Sequence, residues 1–207
     1  MPAFWQFTAT TASMVDTVEA PDDPSPWRNL DATARVEIID KFTLGESLKD
    51  YPLPTRFRLN TSRKTVPDAF IVYNGWPVIS ARFRTLLERF DLGICEFYPV
   101  DILTKKGARE HGDFFILHAR SLKDTLIEAK TEGNPVDHRL FGRIVFINSH
   151  SVCPPKVTLS PAALQGVDLW REKRDMRLLY ASDALQRACK AQKIRTLYSA
   201  LVVINDG

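Results

Sequence analysis

The sequence predicts an α+β fold in which a mixed or mainly antiparallel sheet carries several short Ser-capped helices. Three serines each stand directly before an apolar stripe of helical spacing, where a hydroxyl caps the free N–H groups of a first helical turn: Ser80, Ser121 and Ser182. Segments rich in β-branched and aromatic residues lie between these helices and are typical of strands. Because helices and strands do not alternate regularly, a doubly wound parallel sheet is not predicted.

The clearest unit runs from residue 76 to residue 103. Ser80 is predicted to cap a helix whose apolar side chains recur at i, i+3, i+4 and i+7, namely Phe83, Leu86, Leu87 and Phe90. Gly93 is placed to end this helix, and an apolar strand with Cys95, Phe97 and Ile102 follows. The unit contains no nucleophile beside a base, no phosphate loop and no metal-ligand spacing, which indicates a scaffold that presents a surface.

The other elements follow from the same local signals. Predicted strands cover residues 4–9 (as an edge strand), 35–39, 56–60, 114–119, 143–148, 178–180 and 196–204. Lys105 to Gly107 reads as a turn, and Ser121 is predicted to begin a helix that includes Leu122 and Leu126. Residues 131–142 are predicted to be a loop, because glycine, asparagine and proline follow one another at 133–135.

Composition limits the classes of protein that this chain can be. Its 207 residues, 44% apolar and 26% charged, suit one globular domain over 1–207, with a β-rich variable part at 1–70 and a helix–strand core at 71–207. A formal net charge of +3 is too small to indicate a nucleic-acid partner. The odd count of three cysteines, with no signal peptide and no membrane-length apolar run, predicts a cytoplasmic protein with reduced thiols and no membrane partner.

No recognised catalytic or ligand motif occurs in the sequence. His138, His150 and Cys153 lack the four ligands of a structural zinc site, so no metal is predicted. Glycine-rich phosphate loops and the serine-hydrolase elbow are absent as well. We therefore predict no catalytic residues and no cofactor.

Two stretches of the chain resemble a known protein family. VISARFRTLLERF followed by EFYPVDIL is similar to the helix–strand signature of immunity protein family eleven, formerly a domain of unknown function. The segment from Leu178, LLYASDALQRACKAQKIRTLYSALVV, is similar to the last helix and strand of that family. The resemblance covers residues 76–129 and the tail from Met176, and leaves 1–70 and 134–175 unmatched.

The resemblance implies an immunity protein of a bacterial polymorphic-toxin system, which would act in interbacterial competition. Such a protein neutralises a cognate toxin or effector, encoded nearby, by direct contact and without catalysis. Aromatic and arginine residues are enriched at binding hot spots, and an acidic loop suits a basic partner surface. On these grounds the predicted toxin contacts are Trp170, Arg171, Arg174, Trp27, Asp22 and Asp23, with Trp170 as the exposed anchor.

Two alternatives remain open at this point. One is a small enzyme whose site is assembled from scattered residues such as Asp101, Asp113, His118 and His150. A single pocket that holds these residues, with strongly shifted pKa values, would favour it. The other alternative is an adaptor domain that binds no toxin.

Overall fold

The computed structural model describes residues 4–7, 17–60, 66–72, 75–110, 112–140, 142–146, 157–194 and 199–204. Within these residues the fold is α+β, as predicted, and the α-helices are α1 (Ala32–Leu44), α2 (Ala81–Leu87) and α3 (Asp183–Ala191). The strands, in chain order, are β1 Phe4–Phe7, β2 Thr17–Glu19, β3 Arg56–Leu59, β4 Ala69–Ile71, β5 Pro77–Ser80, β6 Cys95–Leu103, β7 Phe114–Ala119, β8 Leu122–Lys123, β9 Asn134–His138, β10 Gly142–Phe146, β11 Thr158–Leu159, β12 Leu169–Glu172, β13 Asp175–Ser182 and β14 Ser199–Ile204. None of the described helices is long and apolar enough to cross a membrane.

The first sheet has the strand order β2-β3-β6-β7-β5-β4. Only β3 and β6 run parallel within it, and its other neighbours are antiparallel. Helix α1 packs on one face of this sheet, where Ile38 and Phe42 join a core with Phe57 and Trp76. Helix α2 lies on the opposite face, where its Phe83 and Leu86 belong to a second core cluster. The strand alternation of β6 and β7 therefore supplies both clusters.

The second sheet, ordered β11-β14-β1-β13-β12-β8, curls until one segment of chain covers both of its edges. At one edge β8 pairs in parallel with β12. At the other edge Leu126 forms a bridge to Leu159 of β11, and the N–H of Ile127 donates to Thr158 O over 2.9 Å. Residues 122–127 therefore connect the two edges of the curled sheet and cover part of each, which completes a barrel. The barrel interior holds a third cluster: Leu126, Val145, Val157, Leu159, Ala163, Trp170 and Tyr180.

Local capping signals correctly predict the start of two helices, α2 and α3. The hydroxyls of Ser80 and Ser182 accept from the N–H groups of Phe83 and Leu185, both over 3.2 Å, so these two predicted caps are confirmed. The predicted strand at 114–119 is confirmed with the same bounds. Side chains of α2 and α3 share one core cluster with Leu117 of the first sheet and Leu169 and Ala181 of the second, so the two sheets are joined through apolar contacts.

Three predictions of element type are wrong. Residues 35–39 lie inside α1, because Asp31 caps that helix and Ile38 and Phe42 are buried one turn apart. Ser121 does not begin a helix: residues 122–123 form β8, and the Ser121 hydroxyl accepts from the N–H of Ile94 over 3.0 Å. The predicted loop at 131–142 contains β9, which tolerates Pro135 because its partner Val145 directs its own N–H away from β9, to Arg174 O.

Smaller differences concern the position of elements. β1 is not an edge strand, since it lies between β13 and β14. Helix α2 ends at Leu87, and Gly93 instead forms the left-handed turn that leads into β6, at φ +57°. Residues 8–9, 147–148 and 196–198 of the predicted strands lie outside the described residues, as do His150 and Cys153.

Candidate functional site

The densest group of polar side chains in the described residues surrounds the C-terminal end of α1. Gly45 ends this helix at φ +78°, and carbonyls of the last turn and of Gly45 also accept from side-chain donors. His118 Nε2 donates to Phe42 O over 3.0 Å, since a carbonyl can only accept. Arg171 Nη1 donates to Phe42 O and Thr43 O over 3.1 and 2.8 Å, and Arg120 Nε donates to Gly45 O over 2.8 Å. We call His118, Arg120 and Arg171 the α1 clamp; its two arginines complement the negative end of the helix dipole.

Glu96 supplies the negative charge beside the α1 clamp. Its carboxylate accepts from Ser47 Oγ over 2.8 Å, from Arg120 Nη1 over 2.9 Å and from the Tyr98 hydroxyl. Burial raises the pKa of Glu96, but the hydrogen bonds and the Arg120 charge outweigh it and hold that pKa below its ordinary value. The carboxylate is therefore ionised and committed to holding the first sheet against the end of α1.

His118 is held in its neutral form. Burial, followed by the nearby charge of Arg171, lowers the pKa of His118 from 6.5 to about 4. Its ring stacks on Phe42 with centroids 4.3 Å apart, and Phe42 in turn stacks on Trp76 at 5.3 Å. A buried neutral imidazole, with one nitrogen bound to a backbone carbonyl, is suited to fixing α1 in place.

The residues named for the enzyme alternative do not form one site in the described part of the chain. Asp101 and Asp113 both pair with Arg109, at 2.9 and 3.2 Å, near the start of β7. His118 lies five residues beyond Asp113 along the chain, roughly 16 Å away at the rise of a strand. Among the described residues, no group of three or more His, Cys, Asp and Glu side chains could hold a metal ion.

Four of the six predicted toxin contacts are buried, and the exposure predicted for Trp170 as the anchor is wrong. Trp170 is 0% exposed and stacks on Tyr180 inside the barrel at 5.9 Å, and Trp27 donates from Nε1 to Glu19 over 2.8 Å. Arg171 belongs to the α1 clamp. Asp23 accepts from the N–H and hydroxyl of Thr55 over 3.1 and 2.7 Å. Each of these residues lies in a polar stretch of sequence, but its side chain has a partner inside the fold.

Asp22 and Arg174 are the two predicted contacts that stay at the surface. The Asp22 carboxylate pairs with Arg56 and Arg58 at 3.2 and 3.3 Å, and Arg174 Nε pairs with Asp124 at 2.9 Å. The acidic loop is therefore partly neutralised by the neighbouring strand β3. For these two residues, toxin contact stays a prediction.

An exposed apolar patch lies at the β8 edge of the barrel and was missed by sequence reasoning. It consists of Ile94, Leu122 and Leu164, which are 59%, 44% and 41% exposed. The segment of Ile94 lies beside that of Leu122, because the Ile94 N–H donates to the Ser121 hydroxyl over 3.0 Å. Lys123 Nζ ties β8 to the Leu164 segment by donating to the carbonyls of Ala163 and Gln165 over 2.9 and 2.8 Å. The three residues are far apart in the sequence, so only the fold brings their segments together.

Comparison with known protein families gives a match over most of the chain. The family model described as Immunity protein family (Imm11) matches residues 6–198, a span that includes nearly all described elements of both sheets and all three helices. No curated protein matches the chain.

Proposed function

We propose, on the premise that the chain belongs to the Immunity protein family (Imm11), that it binds one cognate antibacterial toxin in the cytoplasm and neutralises it by direct contact. The match over residues 6–198 is the observation that carries this proposal. The toxin would belong to a polymorphic-toxin system used in competition between bacteria. The protein would occupy or lock the toxin and would catalyse no reaction itself.

The apolar patch supports a role in binding another protein. Exposed apolar side chains that adjoin one another are typical of surfaces that become buried in a complex. The backbone beneath the patch is held in place by Lys123. Its Nζ donates to three carbonyls, the third being Val167 O at 3.1 Å, and lies 3.9 Å from the centre of the Trp170 ring. A preordered surface loses little conformational entropy on association. We therefore place the centre of the toxin interface at Ile94, Leu122 and Leu164.

A co-expression assay tests the function and the interface together. The toxin encoded beside this gene is induced with and without this protein, and survival is measured. We expect rescue by the wild type and loss of rescue by Ile94→Asp with Leu122→Asp, because two charges would be buried against an apolar partner. The affinity for the toxin should fall at least about thirty-fold, the effect of about 2 kcal/mol at a hot spot.

Val36→Asp is the matched control, since Val36 is 48% exposed on α1, away from β8. Rescue that survives the double substitution but fails with Val36→Asp would move the interface to α1. Absence of rescue by abundant, folded wild-type protein, with no toxin bound, would contradict the proposed function.

A further inference from the structure

Arg171 keeps one whole edge of its guanidinium group without a hydrogen-bond partner. The residue is 5% exposed, and only Nη1 has acceptors, on Phe42 and Thr43. Nε and Nη2 have no partner among the described residues. These two nitrogens lie on the same edge of a guanidinium, so their N–H bonds point side by side in the planar fork that binds anions. A buried donor without an acceptor costs free energy, and here two such donors converge.

The surroundings of this edge carry an excess of positive charge. Arg171 has no carboxylate within ion-pair distance in the described part of the chain, and the nearby Glu96 is paired with Arg120. The two arginines are close enough that the Arg120 charge, after burial, lowers the pKa of Arg171 to about 10. The C-terminal carbonyls of α1 offset only about half of one charge. Arg171 is therefore left without a counter-charge of its own in the described part of the chain, and an anion bound at this edge would supply one.

Gly45 borders the same edge. A Cβ atom at residue 45 would lie 2.6 Å from Arg171 Nη2 and 3.3 Å from Arg120 O, so a side chain larger than that of glycine would fill the space beside Nη2. The nearby Leu48 N–H already donates to the Tyr98 hydroxyl, and the Ser47 hydroxyl already donates to the Glu96 carboxylate. Arg171 is thus the group at the α1 clamp whose donors are left to receive a ligand.

We propose that the Nε–Nη2 edge of Arg171 binds a small monovalent anion, of the size of chloride, between β12 and the end of α1. The ligand is monatomic because Arg171 is nearly inaccessible, so a larger anion or a partner's side chain would require α1 to move. The anion accepts both N–H bonds of the fork and supplies a counter-charge for Arg171. It stabilises the junction of the two sheets, and this site is independent of the toxin interface.

Thermal unfolding at matched ionic strength and pH tests the proposal. Sodium chloride is titrated against sodium gluconate, whose anion is too large to reach a buried guanidinium. For the wild type we expect the Tm to rise saturably by about 2–4 °C in chloride relative to gluconate, since ligand binding to the folded state raises stability. Arg171→Lys keeps the charge but removes the fork, and should lose this saturable rise. Arg174→Lys, at the surface ion pair with Asp124, is the matched control and should retain it.

Crystals of the wild type soaked in bromide give a second readout that does not depend on a variant folding. We expect one anomalous peak in hydrogen-bonding contact with Nε and Nη2 of Arg171. An ordered water or protein acceptor on that edge, without a bromide peak, would overturn the proposal. Equal wild-type Tm values in chloride and gluconate would do so as well.

Discussion

Arg171 and Glu172 are consecutive residues of β12, and their two buried charges are accommodated in different ways. Glu172 is 0% exposed and accepts from the N–H and the hydroxyl of Thr125, over 2.8 and 2.6 Å. Arg171 faces α1, and among the described residues only one of its three nitrogens has hydrogen-bond partners. The carboxylate accepts hydrogen bonds from Thr125 in the closing segment 122–127, whereas the guanidinium donates to carbonyls at the end of a helix.

The difference shows what each charge does for the fold. Glu172 holds the segment that closes the barrel, so its charge fixes a strand crossing. Arg171 holds the end of α1 against the second sheet and thereby joins the barrel to the first sheet. A buried charge whose hydrogen-bonding groups are all paired fixes the position of the segment that it binds. A buried charge with unpaired donors can still bind a ligand.

The largest expected effect comes from emptying the barrel that Glu172 closes. Trp170→Ala removes the ring that stacks on Tyr180 and lies 3.9 Å from Lys123 Nζ. We expect the free energy of unfolding to fall by about 3–5 kcal/mol, measured by urea denaturation. Leu122→Ala, at the exposed edge of the same barrel, should cost less than about 1 kcal/mol. Equal losses for the two variants would mean that Trp170 is not part of the core.

On the Arg171 side, two glycines separate backbone strain from contact with the guanidinium. Gly45 and Gly107 have similar positive φ angles, +78° and +87°, but a Cβ would meet Arg171 only at residue 45. Gly107→Ala should lower the free energy of unfolding by about 1 kcal/mol through φ alone, and Gly45→Ala by about 2–4 kcal/mol. Chemical denaturation of the two variants measures the difference. A Gly45→Ala loss no larger than that of Gly107→Ala would show that Arg171 yields without cost.

The two regions should also respond in opposite directions to acid. The folded-state pKa of His118 is lowered from 6.5 to about 4, so the unfolded chain binds the extra proton between these values. Its contribution to stability is therefore lost as the pH falls through this window, by about 1–3 kcal/mol. Burial raises the pKa of Glu172 above 4.5, so the folded state binds the extra proton there and this contribution weakens as the pH rises.

Denaturation curves measured between pH 4 and 7 test these opposite contributions of His118 and Glu172. His118→Gln keeps a side-chain N–H for Phe42 O but cannot gain a proton, so its stability should vary less with pH than that of the wild type. Glu172→Gln should instead make the acid loss steeper, because it removes the opposing contribution. Unchanged pH profiles for both variants would exclude these two groups as the source of the pH dependence.

Some parts of this fold could be predicted because their signals are local. A serine before a helical apolar stripe correctly placed the start of α2 and α3 but not of a helix at Ser121, and an apolar run broken only by His118 gives β7 its bounds. The same reasoning misjudged α1, because the β-branched residues at 36, 38 and 39 favour a strand until Phe42 supplies the next helical contact. The candidate surface could not be predicted from local sequence, since the segments of Ile94, Leu122 and Leu164 are connected only by tertiary hydrogen bonds.

The α+β class, the caps of α2 and α3 and the resemblance to an immunity family can be predicted from sequence, since each rests on residues a few positions apart. Which polar and aromatic residues are buried depends instead on the tertiary structure. Trp170, Arg171 and Glu172 lie in a charged stretch, yet the curl of the second sheet and the packing of α1 enclose all three. Burial depends on contacts with residues far away in the chain, such as Phe42, Thr125 and Tyr180. No pattern within a window of sequence contains those contacts.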